Sequence, residues 1–338
     1  MSDSVGSDTQ TADGTEPAAP APAPGILTLV PDLAGRAGIL IPFLIALGTL
    51  AVASAPFRRF ENLSNILDQQ SGIIIVAAAM TLVLIAGGID LSVGAVYGLA
   101  GGATTQLVGS VGIPLAIAAG IAIGLAVGLV NGLLVTRFRI NALIGTLAMT
   151  FVVGGIGAIA TKGNLIVAFD QPEFQKVAFT RFFGITSAAW TMIVIVVIVG
   201  VVLSRSTFGR YVYATGGNAV AARLGGVRVD GIRVATFALS GAAAALAGIL
   251  DASRVLSMQN SGGSFLTFTV LAGVVVGGTS ILGGEGAIWR TVVGCFFIAL
   301  VGNGFNLLGL DPFYQQIALG GILLLAVGVD AWSRRYWA

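Results

Sequence analysis

Apolar residues dominate the chain from about residue 37 onward, in stretches long enough to cross a membrane. A spanning helix needs about 20 mostly apolar residues, and runs near this length recur almost to the C-terminus. The pattern predicts ten spanning helices, at residues 37–54, 71–88, 92–110, 113–135, 142–161, 189–204, 233–250, 265–282, 287–308 and 313–330. The predicted fold class is therefore an all-α polytopic membrane protein.

Residues 1–35 have a different character. The segment MSDSVGSDTQTADGTEP carries four acidic residues and no basic one, and PAAPAPAPG follows with alternating Ala and Pro. Such a composition favours a disordered, partly extended tail. It lacks the basic start and early apolar core of a cleaved signal peptide. We therefore expect two parts, a disordered tail at 1–35 and a transmembrane domain at 36–338.

Composition excludes several functional classes. Hydrophobic residues make up 56% of the chain and charged residues 9%, against about 25% charged in a soluble domain. The net charge is +2 without a basic block, so we expect membrane lipid and not nucleic acid around the protein. With no His and one Cys, the sequence gives no basis for a metal site, a resident cofactor or a Cys/His catalytic pair. An intramembrane enzyme is correspondingly disfavoured.

The distribution of Lys and Arg predicts the orientation. If both termini are cytoplasmic, 11 of the 17 basic residues fall on the cytoplasmic side, as the positive-inside rule requires. The inner loop 205–232 then carries several of them. Arg58 and Arg59 fall on the opposite side, against the rule.

One predicted span carries four glycines at i, i+4 spacing. Such residues lie on one helix face and let a neighbouring backbone approach closely. We interpret them as a packing ridge, and a sliding surface for conformational change is the alternative. The ridge consists of Gly120, Gly124, Gly128 and Gly132.

Polar residues inside the predicted spans are mostly neutral, because the acidic and basic side chains fall at span ends. Amide and hydroxyl groups can exchange hydrogen bonds with a hydroxylated solute, so we expect some of them to line a translocation pathway. Hydrogen bonds between helices are the alternative. The candidates are Gln106, Asn131, Asn303 and Asn306. An ion-coupled secondary transporter usually needs ionisable groups at mid-membrane depth, which makes it the second hypothesis.

The chain has no nucleotide-binding motif of its own. A P-loop requires Gly-Lys followed by Ser or Thr, and the lysines are Lys162 in TKGN and Lys176 in QKVA. We therefore predict a non-catalytic subunit, and any ATP would be bound by a separate partner.

Two local signals predict capped helices. Asn218 is placed as an N-cap, Ala219–Leu224 as a short helix and Gly225 as its C-terminal cap. Asp90, after two glycines, is placed to cap the next helix by accepting a hydrogen bond from the amide of Ser92 or Val93.

Three separated motifs closely resemble the ribose-type permeases of bacterial ABC importers. They are GGIDLSVGA at 87–95, GRYVYATGGNAVAARLGGVRVDGIRV at 209–234 and GGTSILGGEGAIWRTVVG at 277–294. The resemblance implies a fold like that of the vitamin-B12-type importers. It also implies a bacterial cytoplasmic membrane location, a second permease chain, a separate ABC ATPase subunit and an extracytoplasmic sugar-binding protein. The transported molecule would be a monosaccharide or related polyol, whose identity the sequence does not specify.

The same resemblance implies a role for the short inner helix. The segment that couples the permease to the ATPase would comprise Asn218, Ala221, Ala222, Arg223, Leu224, Gly225 and Gly226. Without the resemblance, its basic residues would fit equally well in a connector that merely obeys the positive-inside rule.

Overall fold

The computed structural model describes residues 38–337, so the predicted disordered tail at 1–35 lies outside the described residues. The described chain is almost entirely helical. We number its α-helices α1 (Leu40–Ala53), α2 (Phe60–Ile85), α3 (Val93–Val111), α4 (Ile113–Thr136), α5 (Ala142–Thr161), α6 (Pro172–Phe179), α7 (Ser187–Arg205), α8 (Thr207–Gly217), α9 (Ala219–Leu224), α10 (Val229–Val255), α11 (Ser264–Val276), α12 (Ile288–Leu307) and α13 (Pro312–Trp337). Short 3₁₀ turns at Pro56–Arg58 and Asn260–Gly263 join some of them.

Four two-residue strands lie in the longer connections. Strand β1 (Ile166–Val167) pairs antiparallel with β4 (Ser257–Met258). Strand β2 (Arg181–Phe182) pairs antiparallel with β3 (Ile185–Thr186) as a hairpin. The predicted loop 162–188 is therefore partly ordered by α6 and these strands.

A helix is found at each of the ten predicted spans, but their lengths differ from the prediction. Within the described residues, six helices are long and apolar enough to cross a membrane: α2, α4, α5, α7, α10 and α12. The apolar parts of α1, α11 and α13 are shorter. The structure thus confirms a polytopic helical membrane protein and does not establish a count of ten spans.

Several predicted boundaries were wrong. Helix α2 begins at Phe60, well before residue 71, and α10 runs over Val229–Val255 instead of 233–250. Helix α11 ends at Val276 and the chain then turns, so the span predicted to reach 282 stops early. The inner connection 205–232 contains two helices, α8 and α9. These differences arise because polar residues at the ends of an apolar run do not interrupt a helix, while a left-handed glycine such as Gly278 (φ 78°) does.

The core is built around α2 and α10. In α2, Ile74 and Ile75 are fully buried, and every residue from Ile74 to Ile85 is buried, whichever side of the helix it lies on. A helix that is apolar all round belongs inside a bundle. Helix α10 packs against α4, α3 and α2.

Three of the four predicted ridge glycines form the contact of α4 with α10, and the fourth, Gly120, packs against Thr104 of α3 and Ile249 of α10. A Cβ at Gly124 would overlap the carbonyl oxygen of Gly241, and one at Gly128 would overlap that of Phe237. At Gly132, an added Cβ would lie 2.7 Å from the Cα of Val234. The close approach of two backbones confirms the packing interpretation.

Gly94 lies in the first turn of α3, directly after the non-helical segment 86–92, and packs against Gly263 at the end of the second 3₁₀ turn. A Cβ at Gly94 would overlap the carbonyl oxygen of Gly263, and the converse also holds. The amide of Gly94 donates to Thr267 Oγ1 at 3.0 Å. Irregular backbone at membrane depth requires such partners within the protein.

Candidate functional site

A polar cavity of about 700 Å³ opens among the ends of α2, α10 and α12. Its walls carry several neutral amides, one ion pair, a further carboxylate, a threonine and a tyrosine. The polar residues that line it are Asn65, Asp68, Gln69, Gln70, Tyr97, Asp251, Arg254, Thr269, Asn303, Asn306 and Gln315. A cavity of this size accommodates a small molecule, and its side chains can replace the hydrogen bonds of a hydroxylated solute with water.

A charged cluster lies in the cavity wall. Arg254 pairs with one carboxylate oxygen of Asp251, and the Tyr97 hydroxyl donates to the other. Arg254 Nη1 also donates to the carbonyl oxygen of Asp68 at 3.3 Å. Asp251 and Arg254 lie within α10, beyond the predicted end of its span. The sequence analysis therefore treated them as charges at the end of a span and did not place them in the cavity.

The four predicted pathway residues do not lie together. Asn303 and Asn306 line the cavity, and Asn303 exchanges amide hydrogen bonds with Asn62 at 2.9 and 3.2 Å. Asn131 is 1% exposed and belongs to a different site. Gln106 is exposed on α3 and is not among the cavity-lining residues. Of the four positions, the cavity therefore brings together only Asn303 and Asn306, and a role of any of them in translocation stays a prediction.

Asp90 is the centre of a buried hydrogen-bond cluster. Its Oδ1 accepts from the Ser92 amide at 3.0 Å and from the Ser92 hydroxyl at 2.7 Å. Its Oδ2 accepts from the Ser240 hydroxyl at 2.8 Å. Asn131 Nδ2 donates to Ser92 Oγ at 2.7 Å. The predicted bond to the Ser92 amide is present, and the carboxylate also ties segment 86–92 to α4 and α10.

The short helix α9 lies at the opposite end of α10 from the cavity. Asn218 Oδ1 accepts from the amides of Val220 and Ala221, both at 3.0 Å, as the sequence predicted for its N-cap. Since α10 has 27 residues and rises 1.5 Å per residue, about 40 Å separates its two ends. The cavity and α9 thus occupy opposite ends of a helix long enough to cross a membrane.

Gly225 is the C-cap of α9, as predicted, but the left-handed conformation belongs to the next glycine. Gly225 has an ordinary φ of −77°, whereas Gly226 adopts the left-handed conformation at φ 82°. The amide of Gly226 donates to the carbonyl of Arg223 at 3.0 Å. Two consecutive glycines at a helix end do not reveal from sequence which one takes the positive φ.

The surface of α9 is partly apolar. Leu224 is 87% exposed and Val220 66% exposed, and they are four residues apart, hence on one face. Ala221 is also exposed, while Ala222 is buried against the domain. Arg223 forms an ion pair with Asp230 at 2.7 Å. Sequence reasoning missed Val220, although the i, i+4 spacing of two apolar residues in a polar loop was a usable signal.

The three sequence motifs meet beside α9 in what we term the glycine junction, formed by residues 85–88, 213–217 and 283–286. The amide of Gly284 donates to the carbonyl of Ile85 at 2.9 Å. A Cβ at Gly283 would lie 3.0 Å from the Cα of Gly87, and one at Gly284 would lie 3.0 Å from the Cα of Gly217. Backbones from three separate parts of the chain therefore touch directly.

Side chains reinforce the glycine junction. Tyr213 donates its hydroxyl to the carbonyl of Gly286 at 2.8 Å. Burial raises the pKa of the Tyr213 hydroxyl, which keeps it neutral and able to donate. Arg233 Nε donates to the carbonyl of Ala86 at 3.4 Å, at the C-terminal end of α2 where a cation is favoured.

Apolar spanning helices around a polar cavity define the chain as a multi-pass membrane transport protein. The chain belongs to the family described as "Branched-chain amino acid transport system / permease component", whose model matches residues 62–327. Among its relatives, the ribose import permease protein RbsC of Escherichia coli K12 is 37% identical over 295 residues, covering 86% of this chain and 92% of the relative. RbsC of Bacillus subtilis is 38% identical over 297 residues, covering 87% and 92%.

A third relative is the L-arabinose ABC transporter permease protein AraH of Azospirillum brasilense, 37% identical over 304 residues, or 90% of this chain and 89% of the relative. These similarities confirm the resemblance to ribose-type ABC permeases that the three motifs indicated. No solved structure matches the chain.

Proposed function

We propose that this chain is the translocation subunit of an ATP-driven importer for a monosaccharide or a related polyol. The observation that carries the proposal is the polar, amide-lined cavity within the apolar bundle of a chain whose relatives are named ribose and L-arabinose permeases. Neutral amides can take over hydrogen bonds from a sugar's hydration shell without a net charge. The alternative of an ion-coupled secondary transporter gains no support from these relatives.

The energy for uptake would come from a separate ABC ATPase docked on α9. Its exposed face offers Val220 and Leu224 to an apolar groove, with Arg223 and Asn218 at the rim. The remaining predicted coupling residues, Ala221, Ala222, Gly225 and Gly226, shape the helix and its end. The chain itself would hydrolyse no ATP, because it lacks Gly-Lys-Ser/Thr.

The assembly around the chain follows from the same family. We propose a fold of ten spans like that of vitamin-B12-type importers, with both termini cytoplasmic and the cavity open to the outer side of a bacterial cytoplasmic membrane. Two permease chains would form the pore, an ATPase pair would bind below, and an extracytoplasmic binding protein would deliver the sugar. The exposed apolar faces of α4, α5 and α13 would contact lipid or the second chain.

ATP hydrolysis by reconstituted components tests the proposal. The purified chain alone should show no hydrolysis above a blank, and the partner ATPase should be stimulated when the chain and the sugar-loaded binding protein are both present. Hydrolysis by the contaminant-free chain, or an ATPase rate indifferent to the chain and the loaded binding protein, would contradict it. A Gln variant of the ATPase's catalytic Glu supplies the inactive control.

A further inference from the structure

The charged cluster of Tyr97, Asp251 and Arg254 differs from the rest of the cavity wall because its charged groups are held in place by hydrogen bonds. Both oxygens of the Asp251 carboxylate are held, one by Arg254 and the other by Tyr97. Arg254 is held in turn by its bond to the carbonyl of Asp68. The two charged groups therefore keep a fixed orientation relative to each other, which reduces the entropic cost of binding a ligand there.

The cluster remains accessible despite these bonds. The side chain of Asp251 is 37% exposed and that of Arg254 is 24% exposed, and both line the cavity. An ionised carboxylate only accepts hydrogen bonds, and a guanidinium only donates them. Each has capacity left after its internal bonds, because a carboxylate has about four acceptor sites and a guanidinium has five N–H groups.

A hydroxyl group is both a donor and an acceptor. Placed beside the Asp251–Arg254 ion pair, one hydroxyl can donate to a free acceptor site of the carboxylate and accept from a free N–H group of the guanidinium, with the ion pair intact. Two vicinal hydroxyls can divide these roles, one donating to the carboxylate and the other accepting from the guanidinium. Hydrogen bonds to charged groups are about twice as strong as those between neutral groups. A ligand with several hydroxyls can form more of these bonds with Asp251 and Arg254, so the charged cluster favours polyhydroxylated ligands over molecules with one hydroxyl.

Gln70 adds a neutral amide to the same cavity wall. Its amide oxygen is buried without a hydrogen-bond partner among the described residues. An unsatisfied buried acceptor has a cost that a donor from a ligand or a water can relieve. The Gln70 amide can therefore bind a further hydroxyl of a ligand that is held by the charged cluster.

We infer that Asp251, Arg254 and Gln70 form a hydroxyl-recognising subsite, by which the permease itself binds a small polyhydroxylated molecule such as a pentose. Tyr97 is a positioning residue that fixes the carboxylate. The inference rests on the proposed sugar-import function and adds to it. Selectivity then belongs partly to the permease and is not left entirely to a separate binding protein.

Equilibrium dialysis with labelled D-ribose on the full chain in nanodiscs tests the subsite without any binding protein. We expect saturable binding that weakens at least tenfold in Asp251→Asn and in Gln70→Leu. Tyr97→Phe should weaken D-ribose binding less than these two variants do. A higher sugar concentration should restore part of the bound fraction. The matched control is Glu173→Gln, which removes an exposed ion pair with Lys176 on α6, away from the cavity lining, and should bind as the wild type does.

Ligand variation on the wild-type chain avoids any question of variant folding. D-ribose should compete better than 2-deoxy-D-ribose, and cyclopentanol should not compete measurably. Equal competition by all three, absence of saturable D-ribose binding, or unchanged binding by Asp251→Asn would overturn the subsite. Sugar uptake by the complete transporter separates the two proposals: uptake with no permease binding refutes the subsite alone, whereas no uptake of any sugar refutes the proposed function.

Discussion

Gly216 packs so closely against Ile85 that a methyl group at position 216 would overlap the Ile85 carbonyl oxygen. Gly216 lies at the end of α8, directly before α9, and Ile85 is the last residue of the central helix α2. A displacement of α9 by a docked ATPase would therefore reach α2 through backbone contact, without flexible side chains between them. If α9 docks the ATPase as proposed, the glycine junction is the mechanical link from α9 to the bundle.

Gly216→Ala should disturb this link. The added methyl would also lie 2.6 Å from the amide nitrogen of Gly284, so the backbones must separate. We expect reduced sugar uptake per ATP hydrolysed, measured in proteoliposomes. Gly217→Ala is the control, since its Cβ would meet no atom within 4 Å among the described residues. Equal coupling ratios in the two variants would show that close contact at Gly216 is unimportant.

The α4–α10 packing predicts a clear stability difference between two glycine substitutions. Gly124→Ala inserts a methyl against the Gly241 backbone, and overpacking costs about 1–3 kcal/mol. Gly155→Ala on α5 meets nothing within 4 Å and should be neutral. Thermal unfolding in detergent, followed by circular dichroism, measures both. A transition for Gly124→Ala at the wild-type temperature would contradict the packing account.

The C-terminal end of α9 predicts that its two glycines differ in their tolerance of substitution. Gly226→Ala forces a side chain into the left-handed region and should destabilise the local turn by about 1–2 kcal/mol. Gly225→Ala should be tolerated, because its Cβ would lie 3.5 Å from the carbonyl oxygens of Ala221 and Ala222. Amide hydrogen exchange over residues 219–227 would register faster exchange in the first variant only. Faster exchange in the second variant alone would show that Gly225, and not Gly226, holds the conformation that needs a glycine.

Leu224 provides the test of ATPase docking. Leu224→Glu should lower co-purification of the ATPase strongly, since it places a charge on the exposed apolar face of α9. Leu308→Glu is a fair control, as Leu308 is 71% exposed but follows α12 at the cavity end of the bundle. Loss of the ATPase from both variants, or from neither, would remove α9 as the docking helix.

Arg223 has an internal partner, so its role needs two variants. Exposed ion pairs contribute at most about 1 kcal/mol to stability. If Arg223 only stabilises the loop, Arg223→Gln and Asp230→Asn should have the same small effect on uptake. If Arg223 contacts the ATPase, as we predict, only Arg223→Gln should weaken association, which pull-down at graded salt concentrations would measure.

Local patterns predicted well the parts of the structure that depend on one helix at a time. The Asn218 cap, the Asp90 bond to Ser92 and the ridge around Gly124 and Gly128 each follow from residue spacing within a short segment. Such spacing fixes which side chains share a face or reach a neighbouring amide.

The parts that sequence reasoning missed depend on contacts between distant segments. Asn131 and Asn303 look alike as polar residues in apolar spans, yet one is buried beside Asp90 and the other lines the cavity. The meeting of residues 85, 216 and 284 could not be inferred from three separate glycine motifs. Likewise, the sequence shows Asp251 only as a charge near a helix end, and its contact with Tyr97 depends on the packing of α3 against α10.

ATP-dependent accumulation of sugar tests the central claim most directly. The chain is reconstituted in liposomes with its ATPase, ATP is enclosed on the ATPase side, and labelled D-ribose or L-arabinose is offered with the binding protein on the other. The account predicts accumulation above the external sugar concentration that requires ATP and persists when ion gradients are collapsed. Accumulation without ATP under an imposed ion gradient, or equilibration with no accumulation, would contradict it.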